Sequence, residues 1–205
     1  SPLYYAQSLW GMVRVKQDAK YQYFKAINNA RREMLDLKTD LLGNYQQHNL
    51  KTVLTATEIL SFHGFNLSIE KAITALENVK ATTGLRGRWE WLSEEPVIIA
   101  DVAHNEAGLK EVLGQWAGLT ADSKHIIIGF VKDKDVQQVL PLFPKDAFYY
   151  FCQAQVPRAL PSEELRAAAA PLGLNGEVYP TVTAAVAAAR SQMTKADALL
   201  ITGSF

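Results

Sequence analysis

The most constraining stretch of this sequence is an unbroken apolar run, Val97-Ile98-Ile99-Ala100, that stops on Asp101 and is followed directly by Val102-Ala103-His104-Asn105. Such a run reads as a strand buried on both faces, the kind found in a parallel sheet covered by helices. Asn105 is placed as an N-cap, because Leu109, Val112, Leu113 and Trp116 then recur at i, i+3, i+4 and i+7 on one helical face. Upstream, Arg88-Trp89-Glu90-Trp91-Leu92 alternates around two tryptophans as a half-exposed strand does, and Ser93-Glu94-Glu95-Pro96 makes a polar turn. Asp101 and His104 therefore fall where a strand hands over to a helix, the end of an open α/β sheet at which ligands bind.

The same grammar continues to the end of the chain. Apolar runs at 97–100, 125–130, 147–152, 177–179 and 198–202 alternate with helical patterns near 106–118, 134–143, 162–172 and 182–194. This predicts an α/β fold, a Rossmann-like and mainly parallel sheet wrapped by helices. Residues 3–40 read instead as several short strands, with polar connections at Lys16–Lys20 and Asn28–Arg32. A glycine-bearing loop, Asp40 to Asn49, then leads into a helix with Leu50, Val53, Leu54 and Leu60 on its apolar face, interrupted by Thr57. Gly64 ends that helix, Ser68 caps another, and the small polar stretch Ala81–Gly84 reads as a linker.

Hydrophobic residues make up 48% of the 205, enough for a genuine core, and the formal net charge of zero gives no general support to a nucleic-acid or acidic-membrane surface. No stretch has the length and apolarity of a membrane span, and no signal peptide is visible. The one cysteine, Cys152, sits in Phe148-Tyr149-Tyr150-Phe151-Cys152, where a buried structural thiol in a reducing, cytoplasmic compartment is expected. The chain opens on Ser1-Pro2 and stops just after an apolar run, so it reads as an excised piece with at least one further strand beyond it.

Gly87-Arg88 followed by Asp101-x-Ala103-His104-Asn105 resembles the start of the C-terminal domain of folylpolyglutamate synthases and dihydrofolate synthases, which are Mur-ligase-like amide ligases. Gly43, Gln46 and Asn49 match in spacing a segment that opens the last long helix of that family's central ATPase domain, with Tyr45 standing where a histidine is usual. Asp133-Lys134-Asp135, Pro157-Arg158-Ala159 and Gly203-Ser204 match further segments in the same order. The resemblance implies that residues 1–83 are the strand-and-helix end of the central ATPase domain and 84–205 most of the ligase domain. It implies ATP and Mg2+ as cofactors, folate or dihydropteroate and L-glutamate as substrates, and an acyl phosphate between them. No Gly-x-x-x-x-Gly-Lys-Ser/Thr loop occurs in the sequence, so the phosphate loop and the metal ligands are expected upstream and the chain alone is expected to be inactive.

From the resemblance, Asn49 would reach the adenine, Arg88 the transferring phosphate and Asp101 the ribose hydroxyls. Taken singly, these would be a capping amide, a surface strand arginine and a strand-end acid. His104 has two open readings: a group that orients glutamate or takes the proton lost by its amine, or a hydrogen-bonded structural group at a helix start. Arg158 is a candidate for the substrate carboxylate and Ser204 for the glutamate side of the cleft. Asp133 or Asp135 would cap a helix, while Lys132 and Lys134 read as a solvated turn or an aid to an anionic substrate. No metal ligand is assigned within the chain. Two rivals stand beside this reading: a Mur-type ligase of cell-wall precursors and a non-catalytic α/β binding module. The oligomeric state is left open, a monomer being the default.

Overall fold

A computed structural model describes residues 3–132 and 136–204 of the chain. They form two compact units that part between Arg86 and Gly87. In the first unit α1 (Ala6–Leu9) leads into β1 (Trp10–Gln17), β2 (Gln22–Asn28) and β3 (Glu33–Thr39), an antiparallel sheet in the order β1-β2-β3. Polar side chains make both reversals. Asp18 accepts from the amides of Lys20 and Tyr21 (2.8 Å each), and Asn28 from those of Ala30 and Arg31 (3.1 and 3.0 Å). Alternate residues of β2, Phe24 and Ala26 among them, turn into a core with Trp10, Leu37, Leu50, Leu54 and Leu76.

The buried amide of Gln22 donates to the carbonyls of Leu41 and Gly43 (2.8 and 3.0 Å) and so pins the loop that opens α2 (Gln46–Phe62). The buried face of α2 differs from the sequence expectation. Thr57 belongs to it along with Gln46, Leu50 and Leu54, whereas Val53 and Leu60 are each 39% exposed. Steps of four, four and three follow the 3.6-residue period, and the Thr57 hydroxyl donates to the Val53 carbonyl (2.9 Å), so its burial leaves no donor unmet. Ser68 caps α3 (Ile69–Leu76) by accepting from the Lys71 amide (3.2 Å). Val79–Thr83, which overlaps the Ala81–Gly84 stretch read as a linker, is a short helix, α4, because the Asp40 carboxylate takes its first two amides, those of Val79 and Lys80 (3.1 and 2.9 Å).

The second unit opens with β4 (Glu90–Glu94), which turns through Glu95 and Pro96 into β5 (Val97–Asp101). Then follow α5 (Glu106–Ala117), β6 (Lys124–Gly129), α6 (Val136–Val139), β7 (Ala147–Cys152), α7 (Ser162–Ala169), β8 (Gly176–Tyr179), α8 (Val182–Gln192) and β9 (Ala198–Gly203). Their sheet runs in the order β4-β5-β9-β6-β7-β8, with β4 antiparallel and the other five parallel. This is the Rossmann-like, mainly parallel architecture that the alternation implies.

Two elements are shorter than their periodicity suggests. α6 gives way to a 3-10 turn at Leu140–Leu142, and α7 to another at Ala170–Leu172, each of which contains a proline, Pro141 or Pro171, with no amide to continue an α-helix. The Arg88–Leu92 strand also begins late, at Glu90. Trp89 has φ 49° and Gly87 φ 66°, both in the left-handed region, so the chain turns there instead of extending. Cys152 is fully buried, its burial pushing the thiol up to about 12, and its sulfur lies 3.4 Å from the Ile128 carbonyl oxygen. It is a packing residue.

Candidate active site

Because β9 inserts between β5 and β6, the carboxyl ends of these three strands lie side by side, with Asp101 opposite Thr202 and Gly129 opposite Gly203. The segments leaving them are joined by a continuous seam of backbone hydrogen bonds. The Val102 amide donates to Gly87 (3.0 Å), Gly203 to Ala103 (3.1 Å), Ser204 to Gly129 (2.9 Å), Leu160 to Phe130 (2.8 Å) and Lys132 to Arg158 (2.8 Å). The seam sets the Arg88 turn, the start of α5 and the loops after β6, β7 and β9 along one edge of the sheet, where ligands of such folds bind.

Asp101 is 3% exposed. One carboxylate oxygen accepts from the Trp89 amide (2.7 Å) and the other from the Ala103 amide (2.9 Å). It thus ties the strand end to the Arg88 turn. Arg88 itself is half-buried, and its guanidinium donates to the Gly87 carbonyl (3.2 Å). His104, also half-buried, has Nδ1 2.9 Å from the Val102 carbonyl oxygen. A carbonyl only accepts, so Nδ1 carries the proton and Nε2 is left as the basic nitrogen. Asn105 caps α5 by accepting from Gly108 (2.8 Å), and Leu109, Val112, Leu113 and Trp116 are its buried face, as the spacing requires.

At the other end of the seam, the Ser204 hydroxyl is buried with no hydrogen-bond partner among the described residues. Arg158 is exposed in the loop after β7, where Ala159 bridges Val131. Asn49 belongs to the first unit; it lies on the exposed side of the first turn of α2 and donates to Gln46 Oε1 (2.9 Å). Lys132 is exposed, while Asp133, Lys134 and Asp135 lie outside the described residues. Among the described residues no group of three or more His, Cys, Asp or Glu side chains is arranged to hold a metal ion. Glu90, which sequence reasoning passed over, accepts from the Gly87 amide (2.8 Å) and is 9% exposed. Its only signal in the sequence was an acid between two tryptophans in a strand pattern.

A groove of about 790 Å³ lies at the opposite end of the sheet, beside the starts of β6, β7 and β9. It is wide and shallow, and its side chains mainly bind one another. His125 Nδ1 meets the Tyr150 hydroxyl (3.1 Å), which donates to Gln192 (3.1 Å), while Asp197 accepts from the amides of Thr194 (2.6 Å) and Ser123 (3.0 Å). Burial holds the His125 imidazole below its ordinary value of 6.5, against the opposing pull of Asp197. The unfolded chain therefore takes up a proton at His125 before the folded chain does, and stability should fall as pH drops below 6.5. Asp197, itself held low by the Thr194 amide, adds its own loss only below 3.8. Asp122, Lys124 and Asp146 line the same groove. His125→Gln should flatten the decline of melting temperature between pH 7 and about pH 5, the range through which an ordinary imidazole titrates. Parallel declines in the two proteins would remove His125 as the cause.

Residues 87–205 match the family described as Mur ligase, glutamate ligase domain. A probable bifunctional folylpolyglutamate synthase/dihydropteroate synthase of Haloferax volcanii is 28% identical over 84% of this chain, and 20% of its own length is covered. The dihydrofolate synthase/folylpolyglutamate synthase of Escherichia coli is 28% identical over 73% of the chain and 35% of its own length. Among solved structures, Escherichia coli FolC in complex with DHPP and ADP superposes with a TM-score of 0.72 at 24% identity, covering 96% of this chain and 43% of that one. Mycobacterium tuberculosis folylpolyglutamate synthase complexed with ADP gives 0.76 at 21% identity, covering 96% and 45%. These likenesses establish a shared fold, and the chain spans less than half the length of each of these proteins.

Proposed function

The chain belongs to the Mur ligase family through its glutamate ligase domain, and on that premise we propose that it is the carboxyl-side part of an ATP-dependent ligase that adds L-glutamate to dihydropteroate or a folate. Residues 1–83 are the end of a central ATPase domain in this reading, and 84–205 the ligase domain. The observation that carries it is the Arg88 turn, which fixes a guanidinium at the carboxyl edge of the sheet. There it can meet an anionic group.

The reaction has two steps. ATP phosphorylates the substrate carboxylate, giving an acyl phosphate and ADP. The amine of glutamate then attacks the acyl carbon, the amide bond forms and phosphate leaves. In the second unit Arg88 offsets charge on the transferring phosphate and Asp101 holds the ribose. Asp101 already accepts two backbone amides, and a ribose hydroxyl would join them on the same carboxylate. Nε2 of His104, the ring nitrogen turned away from the Val102 carbonyl bond, is the group assigned in this reading to the proton that the glutamate amine must lose. The partnerless Ser204 hydroxyl and the exposed Arg158 are offered to the glutamate carboxylates. Holding the partners in line and excluding water from the acyl phosphate supply most of the rate.

The sequence has no phosphate-cradling glycine loop, so this chain by itself is inactive in this reading. In this reading Mg2+ or another divalent ion is held by residues outside this chain. Among the described residues no helix is long and apolar enough to cross a membrane.

The test is glutamate-dependent ADP release by the full-length protein, with dihydropteroate and tetrahydrofolate offered separately. Turnover with one or both is the expected result, and the preference between them names the activity. Folded protein that binds ATP yet turns over neither substrate points to cell-wall precursors. Failure to bind ATP leaves a non-catalytic module.

A further inference from the structure

We infer that Glu90 is a positioning residue for Arg88 and acts through Gly87. The inference rests on the reading of Arg88 as the cation that meets the transferring phosphate.

Arg88 stands between two residues in the left-handed region, Gly87 at φ 66° and Trp89 at φ 49°. For a side chain as large as tryptophan that conformation is strained, and it persists only where the surroundings fix it. Two buried carboxylates do so, one on each side of the arginine. Asp101 takes the Trp89 amide (2.7 Å), and Glu90 takes the Gly87 amide (2.8 Å). Gly87 is the hub of the arrangement. Its carbonyl accepts from the Val102 amide (3.0 Å) and from the Arg88 guanidinium (3.2 Å). Glu90 therefore orients the glycine whose carbonyl the guanidinium leans on. A Cβ on Gly87 would lie 2.7 Å from Val102 Cγ1, so the turn also depends on the absence of a side chain there.

Burying a carboxylate to 9% exposure is expensive unless hydrogen bonds compensate it. A guanidinium that rests on a carbonyl fixed in this way is prevented from swinging into solvent before an anion arrives, which is what preorganisation requires. Glu90 need not touch the ligand to do this.

Three variants separate the possibilities. In this chain, Glu90→Ala should speed amide hydrogen exchange at Gly87 by roughly tenfold or more, whereas Glu90→Gln, which keeps an acceptor oxygen, should stay near wild type. In the full-length ligase, Glu90→Ala should lower kcat/KM for ATP about tenfold to a hundredfold, Glu90→Gln should recover most of it, and in an Arg88→Ala background the added loss should be under about twofold. Equal losses with and without Arg88, or an unchanged Gly87 exchange rate, would overturn the inference. Should Glu90→Ala not fold, Glu90→Asp keeps the charge but withdraws it by one methylene, and it should show the faster Gly87 exchange by itself. If Glu90→Ala frees the Gly87 amide while Arg88→Ala leaves ATP-dependent turnover untouched, the positioning stands and the phosphate role of Arg88 falls.

Discussion

Replacing Gly203 by alanine should cost this chain more stability than any other single methyl group added along the carboxyl edge of its sheet. Gly203 closes β9, pairs with Gly129 of β6 and has φ 122°, where an L-residue is strained. A Cβ at this position would stand 2.1 Å from the Gly129 carbonyl oxygen. That atom is backbone in a central parallel strand, and it also receives the Ser204 amide (2.9 Å), so it has nowhere to yield. The backbone strain and the overpacking each cost about 1–3 kcal/mol, together on the order of 3–5 kcal/mol. Against a total of about 5–15 kcal/mol this is a large share. A melting temperature lower by roughly 10–20 °C is the expected reading. Gly114→Ala is the control of opposite sign. Gly114 is exposed in α5 and a Cβ there meets nothing within 4 Å, so alanine should stabilise. Its gain should be about 0.5–1 kcal/mol. If the two variants melt alike, the close approach of Gly203 to Gly129 is not a constraint on the fold.

What could be read from the sequence was whatever local chemistry decides. Asn105 announces a cap, and the Gly108 amide finds it. The apolar runs that predicted five parallel strands, and the face of α5, depend on neighbours within a turn or a strand. The Arg88 turn depends on something else. Arg88-Trp89-Glu90-Trp91-Leu92 has the alternation of a strand, and its first two residues are turned aside by Glu90 together with the carboxylate of Asp101, twelve residues after Trp89. The insertion of β9 between β5 and β6 was equally hidden, since one strand–helix alternation is compatible with several strand orders. These two non-local facts build the candidate site. The motif residues Arg88, Asp101, His104, Arg158 and Ser204 were visible in the sequence; what sets them along one edge of the sheet was not. Thr57 teaches a smaller lesson, because a hydroxyl that bonds its own helix can sit on a buried face without breaking it.

Arg88→Ala should separate the ligase reading from its rivals most sharply. In the full-length enzyme, kcat/KM for ATP should fall about a hundredfold to a thousandfold, the usual loss when one preorganised donor to a charged transition state is removed. The fold should survive. Arg88 is only half-buried, and the bonds that hold its turn come from the amides of Gly87, Trp89 and Val102, not from its side chain. A melting temperature within a few degrees of wild type would establish this. The division of the loss between constants is informative. A guanidinium that grips ATP in the ground state raises KM when it is lost, whereas one that meets charge only during transfer lowers kcat and leaves KM in place. The fixed turn favours the second pattern, since a cation already held by its own backbone gains most from a charge that develops in front of it. Arg88→Lys should recover little, because an ammonium keeps the charge but not the planar fork that the Gly87 carbonyl and a phosphate would share. Kinetics unchanged in both variants would return Arg88 to the role of a surface arginine, and a nucleotide site on this edge of the sheet would lose its main support.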